Sequence, residues 1–425
     1  MYAQQQGNSQ RRVGKRATLL AAVMVTSLVA AACGSDDDSG GSSNGTTAAA
    51  VASTDAVAST DAVASTDAVA STDAVASTDA PADSVAPSGS DSPAAGGGED
   101  LSVGLIQIFR QPISNLVAAG AETAANEYGA EFDWQAPPGI DPPTAISFLS
   151  QYESQGIDGV VVDSFPGELW VRPLNDALEA GIPIVTEGNY APDSDVVTHV
   201  GEPQAALGAT LAEVFADALG PDATGYLQPG ICAAGVPTLE SPIAAFRTRM
   251  GELLPNVEVR DAVDVNPDPA QNFTNWQRLV SQNEDALGFF GVCDQDGVNM
   301  QKVNEDAGGK YLMGTVSGDS AENIQAVADG SLLAVIGRNG FVRGYVSMKI
   351  LMEHLVNGVA LPVGYVNAGI ELITIDNAQA ALDVRSDNSP EANLAYYGEA
   401  IQRALDAVTA GGLGPITNQD TETQG

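Results

Sequence analysis

Residues 155–188 read QGIDGVVVDSFPGELWVRPLNDALEAGIPIVTEG, and this stretch decides the fold. DGVVVDS is a short, continuously apolar run closed by an acid, and IPIVTEG is a second such run. Between them, WVRPLNDALEAG carries apolar residues at helical spacing and stops at a glycine, a common helix end. Apolar runs of strand length that do not alternate with polar residues belong to strands covered on both faces. Strand, helix, strand in succession then gives a parallel pair.

The same grammar extends in both directions. Upstream stand LSVGLIQIF, the helical LVAAGAETAANEYG, then EFDWQ and the helical AISFLSQYESQG. Downstream a second series runs through TGYLQPG, AFRTRMGELLP, VEVRDAVDV, a helix over 268–282, and ALGFFGVCDQD. It continues through VNMQKVNEDAG, KYLMGTVSGD, AENIQAVADG and LLAVIGRNG. Two α/β series exceed what one core holds, so the expected fold class is α/β with two doubly wound parallel-sheet lobes. Ligands of open parallel sheets bind beyond the carboxyl ends of the strands. In the first series those ends carry Phe109, Arg110 and Gln111, then Asp163, Ser164 and Phe165, then Glu187, Asn189 and Tyr190. In the second they carry Asp294, Gln295, Asp296, Ser317 and Asp319. Each of these alone serves a helix cap or turn as well as a ligand, but together they describe a polar cleft.

The chain begins differently. Arg11, Arg12, Lys15 and Arg16 precede an apolar run over 17–32, too short for a membrane span of roughly 20 residues. Basic leader, short apolar core and Ala30, Ala31, Ala32 describe a signal peptide over 1–32. Cys33 follows at once, as in a bacterial lipobox, although Ala30 stands where Leu is commonest. The reading is a lipidated Cys33; a plain signal peptide with Cys33 nearby is the other. Residues 51–80 are VASTDA five times over, without aromatics and with an aspartate in every copy. A segment of this kind cannot bury enough apolar surface to offset its ordering entropy, so residues 33–100 read as anchor and disordered linker. Such a coil would span roughly 45 Å.

The 425 residues hold 17 basic and 55 acidic side chains, a formal net charge of −38, which repels nucleic acid and anionic membranes. Two histidines, His199 and His354, offer no metal-ligand spacing, and no cofactor motif is present, so neither metal nor cofactor is expected. Cys232 and Cys293 each follow an apolar strand-like run, and in an exported chain they are either disulfide-bonded or two buried thiols.

In their order along the chain, several stretches resemble the type 1 periplasmic binding proteins of the ribose-binding kind, which feed sugar ABC transporters. They are VGLIQIFRQPISNLVAAGAETAANEYG, QGIDGVVVDS, DALEAGIPIVTEG, THVGEPQAALGATLAE, FFGVCDQDGVNM and LAVIGRNGFVRGYVSMKILMEHLVNG. The resemblance covers roughly residues 101–375. It implies two lobes joined by a three-crossover hinge, with crossings near Glu202, near Arg338 and over 363–368. The N-terminal lobe would be 101–202 with 339–366. The C-terminal lobe would be 203–338 with 367–412, including a tail helix, and 413–425 would be a disordered tail. Carried over by position, the ligand contacts would be Phe109, Arg110, Gln111, Asp163, Ser164, Gly188 or Asn189, Asp294, Ser317 or a neighbour, and Arg338. The sequence departs from the family where two adjacent aromatics become Ile113 and Ser114, and where a second-lobe arginine falls on Pro242 or its neighbour. Arg110 and Arg338 together offer a second ligand chemistry, a carboxylated or phosphorylated one.

The implied function is an extracytoplasmic solute-binding lipoprotein of an ABC importer. It would be a monomer that holds a sugar, polyol or similar ligand and meets a membrane permease. A ligand sensor presenting its closed form to a membrane receptor is the alternative. An enzyme is not expected: no GxSxG or HExxH motif occurs, and neither histidine sits near a nucleophile pattern.

Overall fold

The computed structural model describes residues 97–316 and 320–421. The leader, Cys33, the VASTDA repeats and Ser317 lie outside the described residues.

The chain first builds β1 (Ser102–Ile106), α1 (Pro112–Tyr128), β2 (Glu131–Gln135), α2 (Pro142–Gln155) and β3 (Gly159–Val162). It continues through α3 (Gly167–Glu179), β4 (Ile184–Glu187) and β5 (Thr198–Gly201). It then crosses into a second lobe with α4 (Gln204–Leu219), β6 (Gly225–Ile231), α5 (Pro237–Leu253), β7 (Val257–Val259) and β8 (Val263–Asp264). That lobe goes on through α6 (Pro269–Gln282), β9 (Gly288–Gly291), α7 (Asp296–Asp306), β10 (Leu312–Val316), α8 (Ala321–Ala328) and β11 (Val335–Gly337). A return gives α9 (Gly340–Asn357) and β12 (Gly364–Asn367), and a third crossing gives β13 (Glu371–Ile373) and α10 (Ala378–Asp387). Last come α11 (Pro390–Ala410) and α12 (Asn418–Thr421).

One sheet has the order β12-β5-β4-β3-β1-β2, with every pair parallel. The other runs β13-β11-β10-β9-β6-β7, with only the edge strand β13 antiparallel and β8 paired to β6 off this path. Why the strands lack alternation is visible in β3, where all four residues are buried. Val161 enters the core under α1 and α9, while Val160 and Val162 enter the opposite core with Trp170. Phe289 and Phe290 likewise feed opposite cores of the second sheet. Both sheets are therefore covered on two faces, as parallel sheets require.

Helix pairs on these sheets approach closely at glycines. A Cβ on Gly344 of α9 would lie 1.9 Å from the Val117 carbonyl oxygen of α1, and one on Gly120 would lie 2.1 Å from that of Phe341. On the second lobe, Gly208 of α4 meets the carbonyl of Pro242 in α5 in the same way. Pro242, where the family resemblance would place an arginine or beside which it would fall, is buried at this helix contact.

The C-terminal region differs from the sequence expectation. The tail helix was expected with the second lobe, but Tyr397, Ile401 and Ala404 of α11 are part of the first-lobe core. Tyr396 keeps contact with the second sheet, its hydroxyl donating to Glu371 of β13 at 2.7 Å. Nor is all of 413–425 a disordered tail, because Gln419 in α12 is 1% exposed. Its amide donates to the Gly188 carbonyl at 2.6 Å, and its Oε1 meets His199 Nε2 at 2.6 Å. The next residue joins both lobes: Tyr190 donates to the Asp420 carboxylate at 2.8 Å, and Ser241 donates to the Asp420 carbonyl at 2.9 Å. A polar sequence such as TNQD gives no apolar period to announce this, since its anchoring is by hydrogen bonds.

Gly344→Ala should lower stability by about 1–3 kcal/mol through overpacking, read as a lower urea midpoint. Gly251→Ala, with nothing within 4 Å of the added Cβ, should leave the midpoint unchanged or raise it slightly. Gln419→Ala should cost about 1–3 kcal/mol, because His199 and the Gly188 carbonyl lose buried partners. Burial holds His199 down at about 4, against the pull of Gln419 and Glu202 upward. It is therefore neutral when folded and takes a proton near 6.5 when unfolded. Its contribution is present above pH 6.5 and is lost as pH falls toward 4, on the order of 3 kcal/mol. Unfolding curves across that window should show this acid limb, and His199→Gln should flatten it.

Candidate ligand cleft

In each sheet the strand order reverses beside the first strand. In the first sheet β1 is followed outward by β2 on one side and by β3, β4 and β5 on the other; in the second, β6 lies between β7 and β9. Loops leaving such a switch point diverge, which opens a crevice beyond the carboxyl ends. The crevices of the two lobes face one cavity of about 260 Å³.

The first lobe lines it with Phe109, Gln111 and Ile113 after β1, Asp163 and Phe165 after β3, and Gly188 and Asn189 after β4. From the second lobe come Cys232, Ala233, Val236, Thr238 and Leu239 after β6, and Val292, Cys293, Asp294 and Gln295 after β9. Cys232 and Cys293 form a disulfide across the second switch point, which fixes the spacing of the β6 and β9 loops. The floor is ionic, made of Glu202, Arg338 and Arg343 at the crossings.

That floor is a buried network. Arg343 Nη1 donates to Glu202 at 2.7 Å and Nε lies 3.2 Å from Glu187. Arg338 donates from Nη1 to Glu202 at 2.9 Å and to Gln204 Oε1 at 2.8 Å, and from Nη2 to the Thr238 carbonyl at 3.2 Å. Gln107 adds a bond from Nε2 to Glu187 at 3.2 Å. Burial opposes a charge on Glu202, but Arg343 and Arg338 outweigh it and hold the carboxyl at about 2. Asp163 goes the other way. Burial and the neighbouring Glu187 push it well above the usual range, although Asn189 donates to its Oδ1 at 2.8 Å. Burial also raises Asp294, with Arg338 and Arg343 opposing.

Six of the nine residues expected at the ligand line the cavity: Phe109, Gln111, Asp163, Asn189, Asp294 and Arg338. Arg110 does not; its guanidinium lies 4.0 Å over the Trp134 ring, and Nε donates to the Ala136 carbonyl at 3.4 Å. Ser164 is buried behind the wall, its hydroxyl donating to the Asn189 carbonyl at 3.0 Å. Ser317 is outside the described residues. With Arg110 turned away and Arg338 held by Glu202 and Gln204, the pair offers no paired grip for an anionic ligand. Asp296 also leaves the cleft. Its carboxylate accepts from Trp276, Asn272 and the backbone of Val292 and Cys293, so it braces the loop that carries Asp294.

Sequence reasoning missed Arg343 altogether. The signal was a lone arginine in the apolar helical run GFVRGYVSM, since a charge there must find buried partners. Val236, Thr238 and Leu239 were missed because they lie at the N-cap and first turn of α5, where no apolar period points them out.

No curated protein is similar enough in sequence to count as a relative. Among solved structures, a solute-binding protein of an ABC transporter from Burkholderia graminis, in complex with D-arabinose, is similar at 21% identity and a TM-score of 0.61. The match covers 66% of this chain and 97% of that one. An arabinose-binding protein from Geobacillus stearothermophilus matches at 19% identity and a TM-score of 0.59, over 65% of this chain and 97% of that one. A solute-binding protein from Agrobacterium vitis, bound with α-D-tagatopyranose, matches at 21% identity and a TM-score of 0.59, over 65% and 95%. Residues 106–358 match the family model of the periplasmic binding protein domain, more than half of the chain, and the chain belongs to that family.

Proposed function

We propose that the protein is the extracytoplasmic solute-binding component of an ABC importer, tethered by a lipid on Cys33, and that it captures a small polyhydroxylated ligand between closing lobes. One observation carries this reading. The cavity is walled by both lobes, with Asp163 and Asn189 on one side, Asp294 and Gln295 on the other, and Phe109 and Phe165 beside them. Carboxylates and amides pair with neighbouring hydroxyls, while an aromatic face covers the C–H edges of a sugar ring. The sugars bound by the Burkholderia and Agrobacterium proteins support the same ligand class.

The mechanism is binding without chemistry. A ligand that touches both walls favours the closed arrangement by its differential affinity for it, and the closed form is what a permease would recognise.

The test uses the exported full chain carrying Cys33→Ser, screened by thermal unfolding against pentoses, hexoses, polyols and nucleosides. A sugar present at 100 times its dissociation constant should add about 2.7 kcal/mol and raise the midpoint by several degrees. Asp294→Ala should weaken that ligand about ten- to hundredfold while leaving the unliganded midpoint nearly unchanged. The carboxylate accepts no hydrogen bond from the described residues, so its loss orphans nothing. A flat response to every sugar and polyol would count against the reading.

A further inference from the structure

One stretch of the cavity wall is apolar where the strand ends around it are polar. The segment from the end of β6 to the first turn of α5 lines the cavity with Cys232, Ala233, Val236, Thr238 and Leu239. Among the described residues, Thr238 is the single polar side chain it puts there. Its main chain is largely engaged elsewhere. Cys232 N–H donates to Cys293 Sγ at 3.2 Å, and Gly235 N–H donates to the Glu240 carboxylate at 2.7 Å. The Val236 carbonyl accepts from the N–H groups of Leu239 and Glu240, and the Thr238 carbonyl accepts from Arg338. A ligand hydroxyl turned toward this segment would exchange water for few partners.

Val236 also breaks a local rule. It is the N-cap of α5, a position that favours Ser, Thr, Asp or Asn, and its side chain makes no capping bond. In α2, α6, α8 and α11 that place is held by Asp141, Asp268, Ser320 and Ser389, each accepting from the first turn. A helix of 17 residues thus forgoes a stabilising cap, and the hydrocarbon that stands in its place lines the cavity. Local rules give way where a site needs another residue. From the first lobe, Ile113 brings a second hydrocarbon to the cavity beside the hinge, since a Cβ on Gly340 would lie 2.6 Å from its Cδ1.

We infer that the segment around Val236 is a specificity wall for a methyl group, and that the ligand is a monosaccharide of the 6-deoxyhexose class. The inference rests on the polyol reading above and adds where that ligand lacks a hydroxyl. Size agrees with a single ring: an apolar cavity of about 150 Å³ holds benzene, and this one measures about 260 Å³. A methyl group against Ala233, Val236 and Leu239 gains by leaving water. A hydroxymethyl group in its place would bury a hydroxyl for which the wall has few partners.

The experiment is titration calorimetry on the exported Cys33→Ser chain. Each set of probes shares one pyranose configuration and differs only in the substituent on C5, which is hydrogen, methyl or hydroxymethyl. The sets are D-arabinose, L-fucose and L-galactose; L-arabinose, D-fucose and D-galactose; D-xylose, 6-deoxy-D-glucose and D-glucose; and L-lyxose, L-rhamnose and L-mannose. In the set that binds, the methyl member should bind about ten- to hundredfold tighter than the hydroxymethyl member. It should exceed the pentose by about fourfold, the worth of one buried methyl. Val236→Thr, nearly unchanged in shape, should cut the first ratio severalfold. Its unliganded thermal midpoint should hold or rise, because α5 gains a cap. A pentose or hexose that binds as tightly as its methyl counterpart, or an unchanged ratio in Val236→Thr, would overturn the inference and leave the polyol reading standing. Silence from every sugar would remove the polyol reading, and the inference with it.

Discussion

The contact between Glu202 and the pair Arg338 and Arg343 is the constraint on which the rest of the structure depends. Glu202 lies at the first crossing, Arg338 at the second, and Arg343 one turn into α9, so one carboxylate ties together the segments that join the lobes. Removing charges from water is expensive, and such a network holds only if nearly every lone pair and proton is met. Here Gln204, Gln107 and the Thr238 carbonyl meet most of the remainder. Losing one member would leave an uncompensated buried charge, at about 3–5 kcal/mol, far more than an exposed pair is worth. The surface pair of Arg172 with Asp176 is of that lesser kind.

The third crossing is joined to the same place by backbone and amide bonds. Ala368 N–H donates to the Gly201 carbonyl at 2.9 Å, and Asn339 Nδ2 donates to the Ala368 carbonyl at 3.0 Å. Asn339 holds a left-handed backbone at φ 48°, and Gly369 one at φ 73°. These are residue types that adopt such angles at little strain. The joints are thus few, adjacent and tied to each other, the arrangement in which a small dihedral change at three short segments turns one rigid lobe against the other.

Much of this was legible in the sequence because the signals were local. DGVVVDS and IPIVTEG announce strands buried on both faces, and the strand ends point to Asp163, Asn189 and Asp294 without any tertiary knowledge. What could not be read were decisions made by contacts across the fold. Arg110 and Gln111 are neighbours in the same loop, yet only Gln111 faces the cavity, because the Trp134 ring on β2 draws the guanidinium away. Asp294 and Asp296 look equivalent, but the indole of Trp276 and the amide of Asn272 turn Asp296 into a loop brace. The position of α11 depended on a core that only the folded first lobe presents, and that of α12 on two buried polar groups waiting in β4 and β5.

The C-terminal segment changes how the hinge must work. A lobe pair joined only by its crossings can open as far as their dihedrals allow. In this protein α11 packs on the first lobe while Tyr396 holds Glu371 of the second, and Asp420 bonds to Tyr190 on one lobe and Ser241 on the other. Each of these bonds has to stretch or break when the lobes part, so each favours the closed form. Neutral or charge-assisted hydrogen bonds contribute about 0.5–3 kcal/mol apiece, which is the size of a typical gap between open and closed states. A closed form that is already well populated requires less of the ligand's binding energy for closure, and the apparent affinity rises by the same factor. The segment expected to be a loose end thus ties the two lobes together outside the three crossings, through Tyr396 and Asp420.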